Sequence, residues 1–448
     1  MASQWIDYAD PQIKSEPADL SAWWTVFNDP ILNTLIDTAY EQNLSLRAAG
    51  WRIMQARAIR GIAVGNLFPQ TQQAAGSYSR TKRSEQNAGG PPPEIWVSEW
   101  DTGFNASWEI DFWGRFRRAI EATDAELDAS IDNYDDVLVL LLSDVAASYV
   151  EIRIFQERLD YARQNVEIQK GMLTIAEDRF RNGATTERDV QQAKTVLEET
   201  QALIPRLETG LRQANNRLCV LLGSPPRDLI QELLDAGKIP NTPPEVAVGI
   251  PADLLRRRPD IRRAERELAA QSERIGIAES DLYPHFSLNG VIAVQAEDFN
   301  NLFHTPGSIF ASAGPAFRWD ILNYGRLQNA IRFQDARFQE LAFTYQNQVL
   351  TAGREAEDAI VGYLRSQQET QSLEAAVQAA NRTVEIARDQ YRQGAVDFTA
   401  VFLFEQTLTA EQDQLTIARG NVALNLIRIF RSLGGGWELR CLPESPND

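Results

Sequence analysis

The chain has 448 residues, 44% of them apolar, and a formal net charge of −18. That is enough for a sizeable core and more than one domain, and the acidic balance has the wrong sign for nucleic acid, which selects clustered Lys and Arg. No run of eighteen apolar residues occurs and mean hydropathy is −0.34, so no membrane-crossing helix is expected, although a β-barrel escapes that test because only alternate residues meet lipid.

Met1-Ala2-Ser3-Gln4 shows neither a charged n-region nor an apolar h-region, so no signal peptide is expected within the chain. Residues 1–47 read as an N-terminal segment with part of a central region, and 48–222 as a first structural repeat. It opens with a short helix ending near Leu67, followed by a strand pair over 70–83 and 96–110. In the second strand Trp96, Trp100, Phe104, Ala106, Trp108 and Ile110 share one face, while the other is polar except for Val97. A period of two at this length predicts a strand. The Trp-rich face is similar to the aromatic girdle of a membrane barrel; a soluble hairpin packed on a core would alternate in the same way. The connection Glu85–Pro93 has the Asn, Gly and Pro content of a loop.

From Glu94 to Ile204 there is no proline, which permits long helices. Leu127, Ile131, Tyr134, Leu138, Leu141, Val145, Ser148, Ile152, Phe155, Leu159, Ala162 and Val166 follow a 4-3 spacing, the heptad pattern of supercoiled packing. The predicted helix over 114–181 is about 100 Å long at 1.5 Å per residue. Gly183 stops it, and Thr186 with Asp189 forms an N-cap signal for a helix over 184–222. Two short helices placed end to end match one long one, so each half predicts part of a tall helical wall. Residues 223–258 form a linker. A second repeat over 259–433 then provides a helix over 259–282, strands over 284–296 and 308–321, a helix over 324–391 and one over 397–433; residues 434–448 form a tail.

The halves are copies. At an offset of 211, Ile175-Ala176 matches Ile386-Ala387, Arg181-Asn182-Gly183-Ala184 matches Arg392-Gln393-Gly394-Ala395, and Leu222-Gly223 matches Leu433-Gly434. At 215, Gly61-Ile62-Ala63 matches Gly276-Ile277-Ala278, and Leu67-Phe68-Pro69 matches Leu282-Tyr283-Pro284. The fold class is therefore mixed and mainly α, with an internal duplication and four strands per chain. Four strands cannot close a membrane barrel, and open edges are not tolerated in lipid. Two chains would give eight strands around a filled interior and three would give twelve around a pore; a trimer is favoured.

Catalysis finds no footing. There is no P-loop, no His-Glu-x-x-His and no nucleophile elbow, so the chain is not expected to be an enzyme. His285 and His304 read as structural, and Arg256-Arg257-Arg258 as a solvated helix start rather than an anion patch. Two Cys, two His and three Met offer no zinc spacing or soft-metal set. No metal or cofactor is expected, and Cys219 and Cys441 are either free or one disulfide.

Five stretches carry a family resemblance: Trp23-Trp24 to Leu35-Ile36; Arg257-Arg258-Pro259-Asp260-Ile261 onward to Tyr283-Pro284; Asp111-Phe112-Trp113-Gly114-Arg115; the turns at Gly183 and Gly394; and Leu433-Gly434-Gly435-Gly436-Trp437. The chain resembles the outer membrane factor family, TolC-like and OprM-like, in its pump-linked NodT-type lipoprotein branch. The resemblance implies a homotrimer whose twelve-stranded transmembrane β-barrel in the Gram-negative outer membrane continues as a periplasmic α-helical barrel. A central belt would come from Gly223 to Gly249 and the termini. Its partners would be a periplasmic adaptor (membrane fusion protein), an inner-membrane resistance-nodulation-division pump and outer-membrane lipid. It would act as a passive exit duct for drugs or other small toxic compounds. A type I protein-secretion channel is the alternative, and a soluble coiled-coil scaffold a further one.

The resemblance also implies site residues. The tips Arg181, Asn182 and Gly183, and Arg392, Gln393 and Gly394, would dock the adaptor. Asp189 and Tyr391 would latch neighbouring hairpins at the aperture; alternatively Tyr391 packs like its repeat mate Phe180, and Asp189 caps a helix. The belt in lipid would comprise Trp96, Trp100, Phe104, Trp108 and Trp319. The chain departs from the family at Val396, where a polar group is common, and at Leu403, where an Asp often stands. With Thr399 one turn before it and Phe402 and Phe404 beside it, Leu403 predicts an apolar constriction that blocks ions by dewetting.

Overall fold

The computed structural model describes residues 4–14, 16, 19–82, 96–229, 238–304 and 306–441. The expected loop Glu85–Pro93, part of the linker and the last seven residues of the C-terminal tail lie outside these residues. In chain order come β1 (Ile13–Lys14), a 3-10 turn (Trp23–Phe27), α1 (Pro30–Gln42), α2 (Leu44–Gly65), β2 (Thr71–Lys82), β3 (Trp96–Glu109), α3 (Arg115–Arg181) and α4 (Glu187–Leu221). After them come β4 (Val246–Ala247), α5 (Leu254–Arg257), α6 (Pro259–Ser280), β5 (His285–Ala296), β6 (Ile309–Arg318), α7 (Arg326–Arg392) and α8 (Phe398–Ser432).

The chain forms two compact units, and neither is a sequence repeat. One comprises Met1–Trp51, Asp132–Arg262 and Asn347–Asp448; the other comprises Arg52–Ile131 and Arg263–Gln346. Each unit therefore takes pieces from both halves.

In the first unit, α3 has α4 on one flank and α8 on the other. Arg163 reaches Glu208 of α4 at 3.1 Å, and Arg158 makes two bonds to Asp413 of α8, at 2.6 and 2.9 Å. Arg419 of α8 continues the row to Glu374 of α7 at 2.9 Å. Two glycines allow these helices to approach: a Cβ at Gly210 would strike the Phe155 ring, and one at Gly420 the Ile154 side chain. The short strands β1 and β4 pair in parallel, and the Trp5 indole donates to the Gly249 carbonyl at 2.9 Å.

Arg258 is buried, contrary to the solvated helix start expected. Its guanidinium donates to both Asp260 oxygens at 3.0 and 2.7 Å, reaches Glu355 at 2.8 Å and donates to the Ser432 carbonyl at 3.1 Å. The reason is geometric. A planar five-donor group can join a helix start, α7 and the end of α8 at once, which no solvated Lys-like charge would do. The neighbouring guanidinium holds the Asp260 carboxyl below the usual carboxylate range against the opposing effect of burial.

The second unit carries a four-stranded antiparallel sheet in the order β2-β3-β5-β6. Its helices follow the same sequence, α2 to α3 to α6 to α7. Arg60 of α2 pairs with Asp124 of α3, Arg274 of α6 with Glu126 of α3, and the Gln271 amide of α6 donates to Gln334 of α7 at 2.8 Å. The match arises because each strand joins its own helix through a short link. The duplication persists in detail: Trp108 donates to the Leu67 carbonyl at 3.1 Å, and its repeat mate Trp319 donates to the Leu282 carbonyl at 2.9 Å. β6 ends at Arg318, opposite His285 where β5 begins, rather than at 321. His285 sits 2.8 Å from Glu109, a structural role. Both cysteines are free.

Candidate functional site

Two places concentrate unusual chemistry. In the first unit these are the turns joining α3 to α4 and α7 to α8. Gly183 and Gly394 take φ of +70° and +78°, a region most residues avoid. Each turn closes with the same pair of bonds. Gly183 N–H donates to Phe180 and Ala184 N–H to Arg179, at 2.9 and 2.8 Å; Gly394 N–H donates to Tyr391 and Ala395 N–H to Gln390, both at 2.9 Å. This double closure satisfies carbonyls that a helix end otherwise leaves open. Arg181, Asn182, Arg392 and Gln393 are exposed around it. The helix after the first turn starts at Glu187, because its N-cap Thr186 is extended, and the Thr186 side chain makes no capping bond.

Behind the turns lies a buried cluster of Met172, Ala176, Ala193, Ala387, Tyr391, Phe398 and Val401. Tyr391 is 1% exposed. Its ring meets Phe398 edge-on at 5.3 Å and lies under the Arg179 guanidinium at 4.6 Å, while Arg179 also donates to the Tyr391 carbonyl. The Tyr391 hydroxyl has no hydrogen-bond partner among the described residues. Burial pushes its pKa up; the Arg179 guanidinium opposes the rise and the Asp189 carboxylate adds to it. Its repeat mate Phe180 is 45% exposed, so the two copies have diverged in packing.

Asp189 is buried in the same cluster at 2% exposure. Its carboxylate accepts from the Thr185 hydroxyl at 2.5 Å and from the Phe398 backbone N–H at 3.4 Å, and Arg188 lies 3.4 Å away. Phe398 is the first residue of α8, so Asp189 satisfies a free N–H at the start of the neighbouring helix. The structure thus brings Asp189 and Tyr391 together within one protomer, without a hydrogen bond between them.

Of the constriction residues, Phe402 packs against this cluster, and Thr399 donates to Gln192 at 3.4 Å. Leu403 is 53% exposed, with Phe404 exposed beside it. One pair escaped the sequence reading. Glu405 is 3% exposed and accepts from Arg388 Nε of α7 at 2.9 Å. Burial pushes the Glu405 carboxyl up, and Arg388 opposes the rise. The signal was present: Phe398, Val401, Glu405 and Leu408 form a 3-4-3 stripe with an acid at a core position.

The other place is the sheet. Its register puts Ala74, Phe104, Ile292 and Ala311 in one row, Gln72, Ala106, Gly290 and Ala313 in a neighbouring row, and Trp108, Leu288 and Pro315 beyond them. Rows on the opposite face are mainly polar or small, such as Thr71, Ser107, Asn289 and Gly314, with Val97, Val291 and Phe310 the larger apolar side chains among them. The apolar face is bare: Phe104 is 70% exposed, and Trp96, Trp108, Ile292, Phe317 and Trp319 are also exposed. Trp100 is half-covered by Tyr78 and Phe299, at 4.3 and 5.0 Å between centroids. A polar face behind a bare apolar one is the pattern of a membrane barrel wall. Within one chain β2 and β6 each have an unpaired edge.

Known proteins resemble the chain in sequence and in fold. Nodulation protein T of Rhizobium leguminosarum bv. trifolii is 30% identical over 403 residues, 89% of this chain and 84% of that protein. The pyoverdine export outer membrane protein OpmQ of Pseudomonas aeruginosa is 30% identical over 442 residues, 95% of this chain and 89% of that one. The solved outer-membrane channel OprN superposes with a TM-score of 0.92 at 30% identity, covering 98% of this chain and 97% of that one. CusC superposes with a TM-score of 0.84 at 27% identity, over 97% of each chain. Residues 35–224 and 250–435 match the outer membrane efflux protein family, and the chain belongs to that family.

Proposed function

We propose that three copies of this chain close one twelve-stranded barrel, and that the paired turns at Gly183 and Gly394 form its gated, adaptor-facing end. The chain is an outer-membrane efflux channel, the exit duct of a tripartite system, with its helical part in the periplasm. The observation supporting the trimer is the two-faced sheet with unpaired edges on β2 and β6. In lipid every such edge must be paired, and twelve strands leave room for a pore.

In this reading Trp96, Trp100, Phe104, Trp108 and Trp319 form the belt in lipid. The exposed Arg181, Asn182, Arg392 and Gln393 meet a periplasmic adaptor, which links the duct to an inner-membrane resistance-nodulation-division pump. Small toxic compounds pass without chemistry. Asp189 and Tyr391 hold the tip shut through one buried cluster, each acting on Phe398 rather than on the other. Leu403, with Phe404 beside it, narrows the pore with apolar surface, which resists ion passage by dewetting.

Single-channel conductance in planar bilayers tests this on detergent-purified protein whose mass has been determined. The expected result is a mass three times that of the chain and small currents, with higher conductance for both Asp189→Ala and Leu403→Asp. A monomer that inserts no channel overturns the duct. Wild-type conductance in both variants removes the latch and the apolar constriction.

A further inference from the structure

We infer that the outer rim of the sheet carries a binding site for the phosphorylated headgroup of an outer-leaflet glycolipid, built from Arg80, Lys82 and Trp96. The site rests on the placement of the sheet in the outer membrane. Both bases lie on the lipid-facing side: Lys82 is opposite Trp96 in register, and Arg80 is opposite Ser98. They share the face of Tyr78, Trp100 and Phe104. Both are exposed, and the Arg80 guanidinium lies 5.6 Å over the Trp96 ring.

Charge is sorted by face here. Among the described residues of this hairpin end, the acids Glu99 and Asp101 alternate onto the other face, opposite Ser79 and Ser77. In a chain with a net charge of −18, the described charged residues of this hairpin end that face lipid are thus bases.

Height decides what these bases meet. Trp96 and Trp108 are twelve positions apart in β3, about 40 Å along the strand and about 30 Å along a barrel axis at a 40° tilt. The apolar band of a membrane barrel is about 25 Å tall. If Trp108 marks the inner interface, Lys82 and Trp96 lie at or above the outer one. A base on the lipid face is costly at mid-membrane and nearly free at the interface. There the available anions are headgroup phosphates. Arginine suits them by its planar donors, and the paired Tyr78 and Trp100 rings just below lie at the acyl boundary. A trimer presents three such sites.

Native mass spectrometry of the detergent-purified trimer tests the site by titration with a bisphosphorylated glycolipid, its dephosphorylated form and inorganic phosphate. The expected result is up to three copies of the phosphorylated glycolipid per trimer and much weaker binding of the other two. Arg80→Gln with Lys82→Gln should lose about 30-fold in affinity, on the usual worth of two bases near a charged membrane surface. Arg80→Lys with Lys82→Arg should stay within about threefold, because the exchange keeps both charges and one planar guanidinium in the site. Equal binding by the neutral pair, or equal binding of the dephosphorylated lipid, overturns the inference, and variant-sensitive binding of inorganic phosphate alone replaces it with a free-anion site. Trimer mass and conductance of the same samples report on the duct separately, so loss of the rim site leaves that reading standing.

Discussion

Glu405 shows how a single side chain can tie the tip together. It occupies a core position of α8, almost fully buried, and its carboxylate is held by Arg388 of α7 at 2.9 Å. A buried carboxylate that loses its partner is strongly destabilised, more than the intact pair stabilises. Arg388→Met should therefore cost roughly 3 kcal/mol at pH 8, the low end for such pairs because Arg388 is partly exposed. The pH dependence has a definite sign. Burial already holds the folded pKa of Glu405 above its unfolded value, and Arg388 is what pulls it back. Without Arg388 the folded pKa rises further, so the penalty applies above it and fades as pH falls through it and the carboxyl takes up a proton. The thermal midpoint of Arg388→Met, compared with wild type, should thus approach it between pH 8 and pH 5, and adding Glu405→Gln should remove most of the defect at pH 8. A gap that stays constant with pH would show that Glu405 is not the group responsible. At this scale the sequence was only partly readable. Asp189 and Tyr391 were singled out only by the family resemblance, which marks positions at set distances from Gly183 and Gly394. The use of Asp189 to hold the Phe398 N–H could not be read, because it depends on how the start of α8 is presented to α4.

Elements were more legible than residues, for a physical reason. Alternation in β3 and 4-3 spacing in α3 are imposed by what each element must bury, so they are present in one strand or helix taken alone. Contact between strands leaves no such trace. Gly103 lies in the middle of β3 on the polar face, paired with Ala75 and Ala293. A Cβ there would collide with the Ala293 Cα and the Ile292 carbonyl oxygen. Gly290, in the middle of β5, points to the lipid side, and its nearest neighbour would be the Ser312 carbonyl at 4.0 Å. The two glycines look alike in the sequence and differ in what surrounds them. Gly103→Val should destabilise the sheet by about 2–3 kcal/mol, as overfilling a packed site does, whereas Gly290→Val should be neutral or better because β-branched residues suit strands. The fraction of protein that resists unfolding on semi-native gels measures both. Similar losses at the two positions would mean that the inner face does not set the spacing of these strands.

At the scale of the whole molecule, the unpaired edges and the bare helix flanks make the same demand. Pairing β2 of one copy with β6 of the next closes the sheet. Only the five residues between Gly65 and Thr71 separate α2 from β2, and only seven separate β6 from α7, so the same step must bring α2 beside α7 of the neighbouring copy. Both helices are prepared for it. Leu44, Trp51, Met54, Ile59 and Ile62 are exposed on α2, and Phe333, Phe343 and Leu350 on α7. The α7 residues fit a 3-4 spacing that passes through Ala336, Glu340 and Asn347, the spacing of a supercoiled seam with two polar steps in it. A large apolar side chain gains about 1.5–3 kcal/mol on full burial, so a seam of several such residues outweighs the ordering it requires, and it recurs three times in a trimer. Phe343→Glu should remove one such contribution and place a charge in the seam three times over. The expected outcome is a shift from trimer to monomer in native mass spectrometry, with helical content by circular dichroism largely kept. Phe343→Leu, which preserves apolar contact, should remain trimeric. If Phe343→Glu stays trimeric with an unchanged melting midpoint, α2 and α7 do not meet across copies, and the strand edges must be closed by a different arrangement.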